Sequence, residues 1–233
     1  MRCFWLGSIA LLAIAASGTV ALAADMQVKA PVKAPAPVFS WTGFYVGGHA
    51  GYLWGRTRVE DDGVVTEPGA ATDGFVGGLL AGGNWQTGAL VLGIEADAGW
   101  TKAHGVGVAT VTTITTQAPN TYDLNWTSHV RGRAGYAAGD WLFFVAGGFA
   151  VADLDFHEGA TTTTTVPVTA RGGKYTGWSF GGGVEHVFAP QFIGRLEYLY
   201  DDFGHKSYTA FDGGIYTVGF TGQTLRAAGI WRF

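Results

Sequence analysis

From Trp41 to Phe233 the chain runs as alternating segments whose connections sort by length, and that sorting restricts the possible folds more than any single motif. Short turns fall at Thr87-Gly88, Gly139-Asp140 and Ala189-Pro190-Gln191, about fifty residues apart. Their composition is that of hairpin turns. Between them lie polar or low-complexity stretches from Thr57 to Thr72, Lys102 to Thr121, Asp155 to Tyr175 and Gly204 to Phe220. Three turns and four long loops give seven connections, hence eight strands, expected at 43–56, 73–86, 89–101, 122–138, 141–154, 176–188, 192–203 and 222–233. All short turns then lie at one end and all long loops at the other, which outer-membrane barrels do and a soluble sandwich has no reason to do.

The final segment, TGQTLRAAGIWRF, shows what each strand offers. Counting back from Phe233, one face carries Trp231, Gly229, Ala227 and Leu225; the other carries Arg232, Ile230, Ala228, Arg226 and Thr224. Alternate side chains of a strand point to opposite faces, so the uncharged face suits either a soluble core or lipid. Composition favours lipid. Charged residues are 14% of the chain against a usual figure of about 25%, and the 38 glycines are well over twice the ordinary share of about 7%. Beyond the leader, no segment offers the roughly 18 consecutive apolar residues of a membrane helix. The fold expected is therefore all-β, an eight-stranded antiparallel transmembrane β-barrel.

The N-terminus reads as an address. Met1-Arg2, the apolar run Leu6 to Ala16 and the small-x-small site Ala21-Leu22-Ala23 make a secretory signal peptide, residues 1–23, too short in its apolar core for a membrane anchor. Cys3, the only cysteine, goes with it. That leaves no disulfide, cysteine metal site or thiol nucleophile. Residues 24–40 form a Pro/Lys/Ala-rich periplasmic tether, and 41–233 the barrel. Proline fixes φ and removes donors, so the tether is extended or loose and no strand; it serves as a spacer toward peptidoglycan or is simply a free end. The chain is mildly acidic, with a formal net charge of −4, which gives no reason to expect a nucleic-acid partner.

Aromatic residues bracket the strands. Trp85, Trp141, Phe188, Phe192, Trp231 and Phe233 lie beside the short turns or the C-terminus, and Trp54, Trp100, Trp126, Trp178 and Phe203 near the long loops. Two interfacial girdles are expected at these levels. The strand charges Glu95, Asp97, Glu185, Glu197, Arg131, Arg133, Arg195 and Arg226 alternate with apolar neighbours. A basic side chain facing lipid at the midplane costs about 2–4 kcal/mol, so all eight are expected inside. An eight-stranded lumen is only just wide enough for its side chains, which makes a closed network of paired charges the expectation.

Phe39-Ser40-Trp41-Thr42-Gly43-Phe44-Tyr45-Val46-Gly47-Gly48 after the Lys-Ala-Pro tether, the strand Arg131-Gly132-Arg133-Ala134-Gly135-Tyr136, and the terminal Trp231-Arg232-Phe233 carry a resemblance over the whole mature chain. It resembles the small outer-membrane barrel proteins of alphaproteobacteria, the immunogenic and RopB-type porin-family members, similar in fold to the transmembrane domain of OmpA. The resemblance implies an abundant structural component of the outer membrane, embedded among its lipids and lipopolysaccharide, with both mature termini periplasmic. It also implies that Trp231 and Phe233 act as the C-terminal signal read by the barrel assembly machinery. With the chain stopping on its last strand, cell-wall anchoring through an appended domain is not implied.

Other motifs are weaker. Gly177-Trp178-Ser179-Phe180-Gly181 fits G-x-S-x-G, which needs a sharp strand-to-helix turn and here lies inside an alternating strand. Ser179 with His186 remains the enzyme alternative, a lipid hydrolase. The histidines His49, His104, His129, His157, His186 and His205 show no helical i, i+4 pair, and neither a metal nor a cofactor is expected. Asn125-Trp126-Thr127 matches a glycosylation acceptor by chance. The threonines Thr112, Thr113, Thr115, Thr116 and Thr161 to Thr165 either extend hairpins beyond the membrane or form a ligand-binding surface. Glu60-Asp61-Asp62 and Asp201-Asp202 are solvated loop charges or cation sites. The leading functional expectation is a structural, non-enzymatic envelope protein that presents loops outside, with a narrow solute channel as the alternative.

Overall fold

The computed structural model describes residues 39–61, 64–108, 119–157, 170–209 and 215–233. The expected signal peptide and nearly all of the expected tether lie outside the described residues, as do the threonines at 112, 113, 115, 116 and 161–165. Eight antiparallel strands, β1 (Gly43–Asp61), β2 (Val64–Thr87), β3 (Leu90–Val108), β4 (Pro119–Ala138), β5 (Trp141–His157), β6 (Ala170–Ala189), β7 (Phe192–Thr209) and β8 (Ile215–Arg232), pair in sequence order. The β1–β8 ladder closes them into a barrel. Among the described residues no helix is long and apolar enough to cross a membrane.

The short turns stand where the composition puts them. Gly88 and Gly139 take φ of 60° and 62°, a region that admits glycine readily and β-branched residues poorly. The long loops do not. Strand continues into every expected loop: β1 and β2 run on to Asp61 and Val64, β3 and β4 to Val108 and Pro119, β5 and β6 to His157 and Ala170, and β7 and β8 to Thr209 and Ile215. Polar composition concealed them, because a strand wetted on its outer face carries the polar residues a loop also favours.

At the loop end the barrel parts into two sheets. Among the described residues, β2 and β3 are joined no further than Thr72–Gly105, and β6 and β7 no further than Trp178–Asp202. The other six ladders continue, reaching Asp61–Val64, Asp61–Tyr216, Thr209–Ile215, Val108–Pro119, Thr121–His157 and His157–Ala170. Sheet β7-β8-β1-β2 thus faces sheet β3-β4-β5-β6. Between them packs an apolar core that includes Leu53, Val218, Phe220 and Phe203 from one side and Tyr122, Leu124, Leu154 and Phe156 from the other.

The outer wall changes character along the strands. On β3 the outward residues are Leu90, Leu92, Ile94, Ala96, Ala98 and Trp100, then Lys102 and His104, all exposed. On β1, Phe44, Val46, Gly48 and Ala50 lead to Trp54 and then to Arg56 and Arg58. Trp54, Trp100 and Trp178 at the loop end and Trp85, Trp141, Phe188, Phe192, Trp231 and Phe233 at the turn end are exposed, and they bound the apolar band. Phe203 corrects the girdle assignment. It is 1% exposed and stacks inside on Phe220, with centroids 5.6 Å apart. Its parity with Glu197 and Asp201 on β7 puts it inward despite its place near a long loop.

Candidate functional site

Inside the membrane-facing half the eight expected charges are all buried. Five strands supply them: Glu95 and Asp97 from β3, Arg131 and Arg133 from β4, Glu185 from β6, Arg195 and Glu197 from β7, and Arg226 from β8. Glu95 is the hub, accepting from Arg131 Nη2 at 2.9 Å, Arg195 Nη1 at 2.8 Å and Nη2 at 2.6 Å, and Tyr45 Oη at 2.7 Å. Arg131 Nη1 also donates to Glu197 Oε1 at 2.7 Å. Arg226 grips Asp97 with both terminal nitrogens, at 3.1 and 3.2 Å, and Glu197 through Nε at 2.9 Å. Arg133 donates to Tyr45 Oη at 2.8 Å and to Glu185, whose Oε1 also accepts Arg195 Nε at 2.8 Å. Each guanidinium thus meets at least two carboxylates, an arrangement that offsets desolvation where an isolated ion would not.

Glycine makes the space for these long side chains. A Cβ on Gly51 would fall 2.7 Å from Cβ of Arg226. Phe144, from β5, lies under two cations, 4.3 Å from Arg133 and 5.1 Å from Arg195. β5 itself sends only apolar or glycine residues inward in this half, so the network spans the lumen from β3 and β4 to β7 and β8.

Several participants were not anticipated. Tyr45, read as part of the opening motif, bridges Glu95 and Arg133. His129 Nδ1 sits 2.8 Å from Asp97 Oδ1, and its Nε2 lies 3.4 Å from Asp201 Oδ1. Asp201 is 1% exposed, so the pair Asp201-Asp202 does not form a surface cation cluster. Asp202, of opposite parity, accepts the Gly204 amide at 2.9 Å. Parity alone could have found these residues: His129 is two before Arg131, and Asp201 four after Glu197. In the other acidic group Glu60 pairs with Arg58 at 3.2 Å, and Asp62 lies outside the described residues.

Both ends of the charged layer are stopped. At the turn end Trp41, 1% exposed, packs with Leu80, Val91, Leu142, Ile193 and Ile230. Its amide donates to Gln86 Oε1 at 2.7 Å, which holds the segment entering β1 across the mouth. A cavity of about 10 Å³ lies between Trp41, Glu185 and Arg195, room for one water at most. At the loop end stands the two-sheet apolar core. Among the described residues, hollows of about 780 and 950 Å³ are open grooves on the outer wall, where Ala81, Ala96 and Gly83 leave the surface bare between Leu79, Phe44 and Trp85.

The hydrolase alternative fails on geometry. Ser179 is buried in the lumen, whereas His186, seven residues on and of opposite parity, lies on the outer side of β6. There it lies tilted over Trp141 with ring centroids 4.2 Å apart and meets Phe188 edge-on at 4.8 Å. A strand wall separates the would-be nucleophile from its base. Among the described residues no group of histidine and carboxylate side chains is arranged to hold a metal ion.

The outer membrane protein beta-barrel domain family matches residues 9–223. A 31 kDa outer-membrane immunogenic protein of Brucella melitensis biotype 1 is 30% identical over 240 residues, 97% of this chain and 99% of the relative. A 22 kDa outer membrane protein of Rhizobium leguminosarum bv. viciae is 32% identical over 200 residues, 85% of this chain and 79% of the relative. Among solved structures, the outer membrane protein OprG of Pseudomonas aeruginosa matches 84% of this chain and 99% of its own at 10% identity and a TM-score of 0.52, a likeness of fold. Likeness along nearly the whole sequence and a wall built to face lipid agree: the chain belongs to the outer membrane protein β-barrel family and is an outer-membrane protein of the small immunogenic-protein type.

Proposed function

We propose that this protein is a closed, non-conducting structural barrel that supports the outer membrane and holds its long hairpins outside the cell. The observation that carries the reading is the filling of the interior by three successive layers among the described residues: Trp41 and its apolar neighbours at the turn end, the ion-pair network in the middle, the two-sheet core at the loop end. A lumen filled this way has no aqueous path, which places support and display ahead of solute transport. The charged outer wall beyond Trp54 and Trp100 supports the loop end being the external one and the short turns periplasmic, since outer-membrane barrels keep short turns inside. In planar bilayers the purified protein should give no steady conductance; large steady openings would replace this reading with the channel. An epitope tag at Thr163 should be reached by antibody on intact cells and one at Gly139 should not, and the reverse result would invert the orientation.

Trp231 and Phe233, exposed on the lipid side of β8, are proposed as the aromatic signal that the barrel assembly machinery reads. Phe233→Asp should leave unassembled, degraded protein. Heat-modifiable migration of the variant equal to that of the parent would remove this role.

A further inference from the structure

Charges in a water-excluded lumen have to balance, and those of the arginine network do not balance by themselves. Among the described residues five buried carboxylates face the interior, Glu95, Asp97, Glu185, Glu197 and Asp201, against four buried guanidiniums, Arg131, Arg133, Arg195 and Arg226. Asp201 is the unmatched one. It receives no arginine; its neighbour is His129 Nε2 at 3.4 Å, and the other nitrogen of that ring is 2.8 Å from Asp97. His129 and Asp201 side chains are 4% and 2% exposed, so solvent does not supply the missing charge.

We infer that His129 holds the fifth positive charge of the lumen: it is a buried imidazolium at neutral pH, donating one N–H to Asp97 on β3 and pairing through the other nitrogen, by charge and not by a formed hydrogen bond, with Asp201 on β7. A neutral imidazole has one N–H and one lone pair. Placed between two carboxylates it would turn that lone pair on an anion. Only the doubly protonated ring turns an N–H toward both carboxylates, and it brings the fully buried charges to five against five; Arg232, at the turn-end mouth, is half-buried and lies over the Phe39 ring. The surroundings fit this state. Asp97 also accepts from Arg131 on β4 at 3.3 Å and from Arg226 on β8. Glu197 on β7 holds those same two arginines. On β6 the register partner of Asp201 is Ser179, a neutral hydroxyl, and on β5 that of His129 is Ala150. β2 sends no ionisable group to this level: Gly78 is there, and a Cβ on it would meet His49 Nε2 at 2.8 Å. His49, from β1, is buried with neither ring nitrogen hydrogen-bonded and no ion pair to a carboxylate among the described residues, so it does not serve as the missing cation. His129 thereby ties β4 to the opposite wall at β7, a link across the barrel that no arginine makes to Asp201.

The inference rests on the closed lumen proposed above, but the two are tested apart: conductance tests the closure, and the following tests the proton. In the full-length protein in detergent micelles, nitrogen-15 NMR of the His129 ring at pH 7 should show a proton on both nitrogens. A single protonated nitrogen overturns the inference. His129→Gln leaves five carboxylates against four cations and should lower the melting midpoint by roughly 10 °C; adding Asp201→Asn removes the odd carboxylate and should recover at least half of that loss. Should His129→Gln fail to assemble, assembly of the double variant is the same rescue read in membranes. A double variant no better than His129→Gln overturns the inference in either form.

Discussion

The two halves of this barrel keep one strand period and opposite polarity. On β7 the inward residues run Ile193, Arg195, Glu197, Leu199, Asp201, Phe203 without a break in alternation, yet the first part of that series surrounds an ionic layer and its end lies in an apolar core. Outside, Leu196 and Tyr198 give way to His205 and Ser207. The cause is the solvent, not the chain. Where lipid surrounds the wall, outward side chains must be apolar and the lumen is where polar groups find partners. Past the tryptophans, water surrounds the wall, and the strands revert to the arrangement of a soluble sandwich, apolar within and charged without.

The sharpest way to break this contrast is to remove a cation from the ionic half. Arg131 is fully buried and donates to three carboxylates. Arg131→Ala leaves Glu95, Asp97 and Glu197 short of a donor and should cost about 3–5 kcal/mol, read as a lower midpoint of denaturant unfolding. It should also raise bilayer leak, since the side chain fills the middle of the lumen. A barrel as resistant to heat and denaturant as the parent would mean that the remaining three arginines suffice. An apolar truncation in the other half, Leu154→Ala, should cost about 2–5 kcal/mol by the cavity it leaves and should not raise leak, because the ionic layer remains intact beneath it.

The outer wall gives a second, smaller contrast. Ile94 and Val106 are on the same strand and the same side, 63% and 54% exposed, one within the apolar band and one past Trp100. Ile94→Arg should cost about 2–4 kcal/mol, as a basic residue facing lipid near the midplane does, while Val106→Arg should stay within about 0.5 kcal/mol, as surface changes in water do. Equal effects at both positions would mean that the girdle does not mark the membrane boundary.

How far the sequence discloses this follows from the same inversion. Strand number, the three turns and the inward direction of the eight charges are legible because turn residues and alternation are local. The extent of the strands is not: Arg58, Lys102 and Asp155 look like loop residues until it is known that water wets the outer face there. The partners are also hidden. Arg131 meets Glu197 across the lumen, 66 positions away in sequence, and no period indicates that. His129 and Asp201 have the right parity, but by residue type they read as a metal-type histidine and half of an acidic pair, and type points away from position there. Phe203 shows the same error with an aromatic ring.

The smallest expected effect lies where the two sheets part. Between β6 and β7 past Trp178–Asp202 the described residues form no backbone ladder, and side chains close the seam instead. The hydroxyls of Tyr175 and Tyr208 are 3.0 Å apart, and Lys206 Nζ lies 5.8 and 5.6 Å from the two ring centroids. Burial pushes the Tyr175 phenol well above its ordinary range, and the hydrogen bond with Tyr208 adds to this, so the hydroxyl stays protonated and able to donate. Tyr208→Phe removes one partner of a half-buried bond and should cost about 1 kcal/mol, too little to alter assembly or conductance. Its effect should appear locally, as faster amide hydrogen exchange on β6 from Gly172 to Thr176, because a seam without a ladder opens by fluctuations far smaller than global unfolding. Exchange on β4 around Arg131, inside the ionic half, should not change. Unaltered exchange on β6 would mean that the apolar core between the sheets, with Tyr175 and Phe203 in it, holds the seam without the hydroxyl pair.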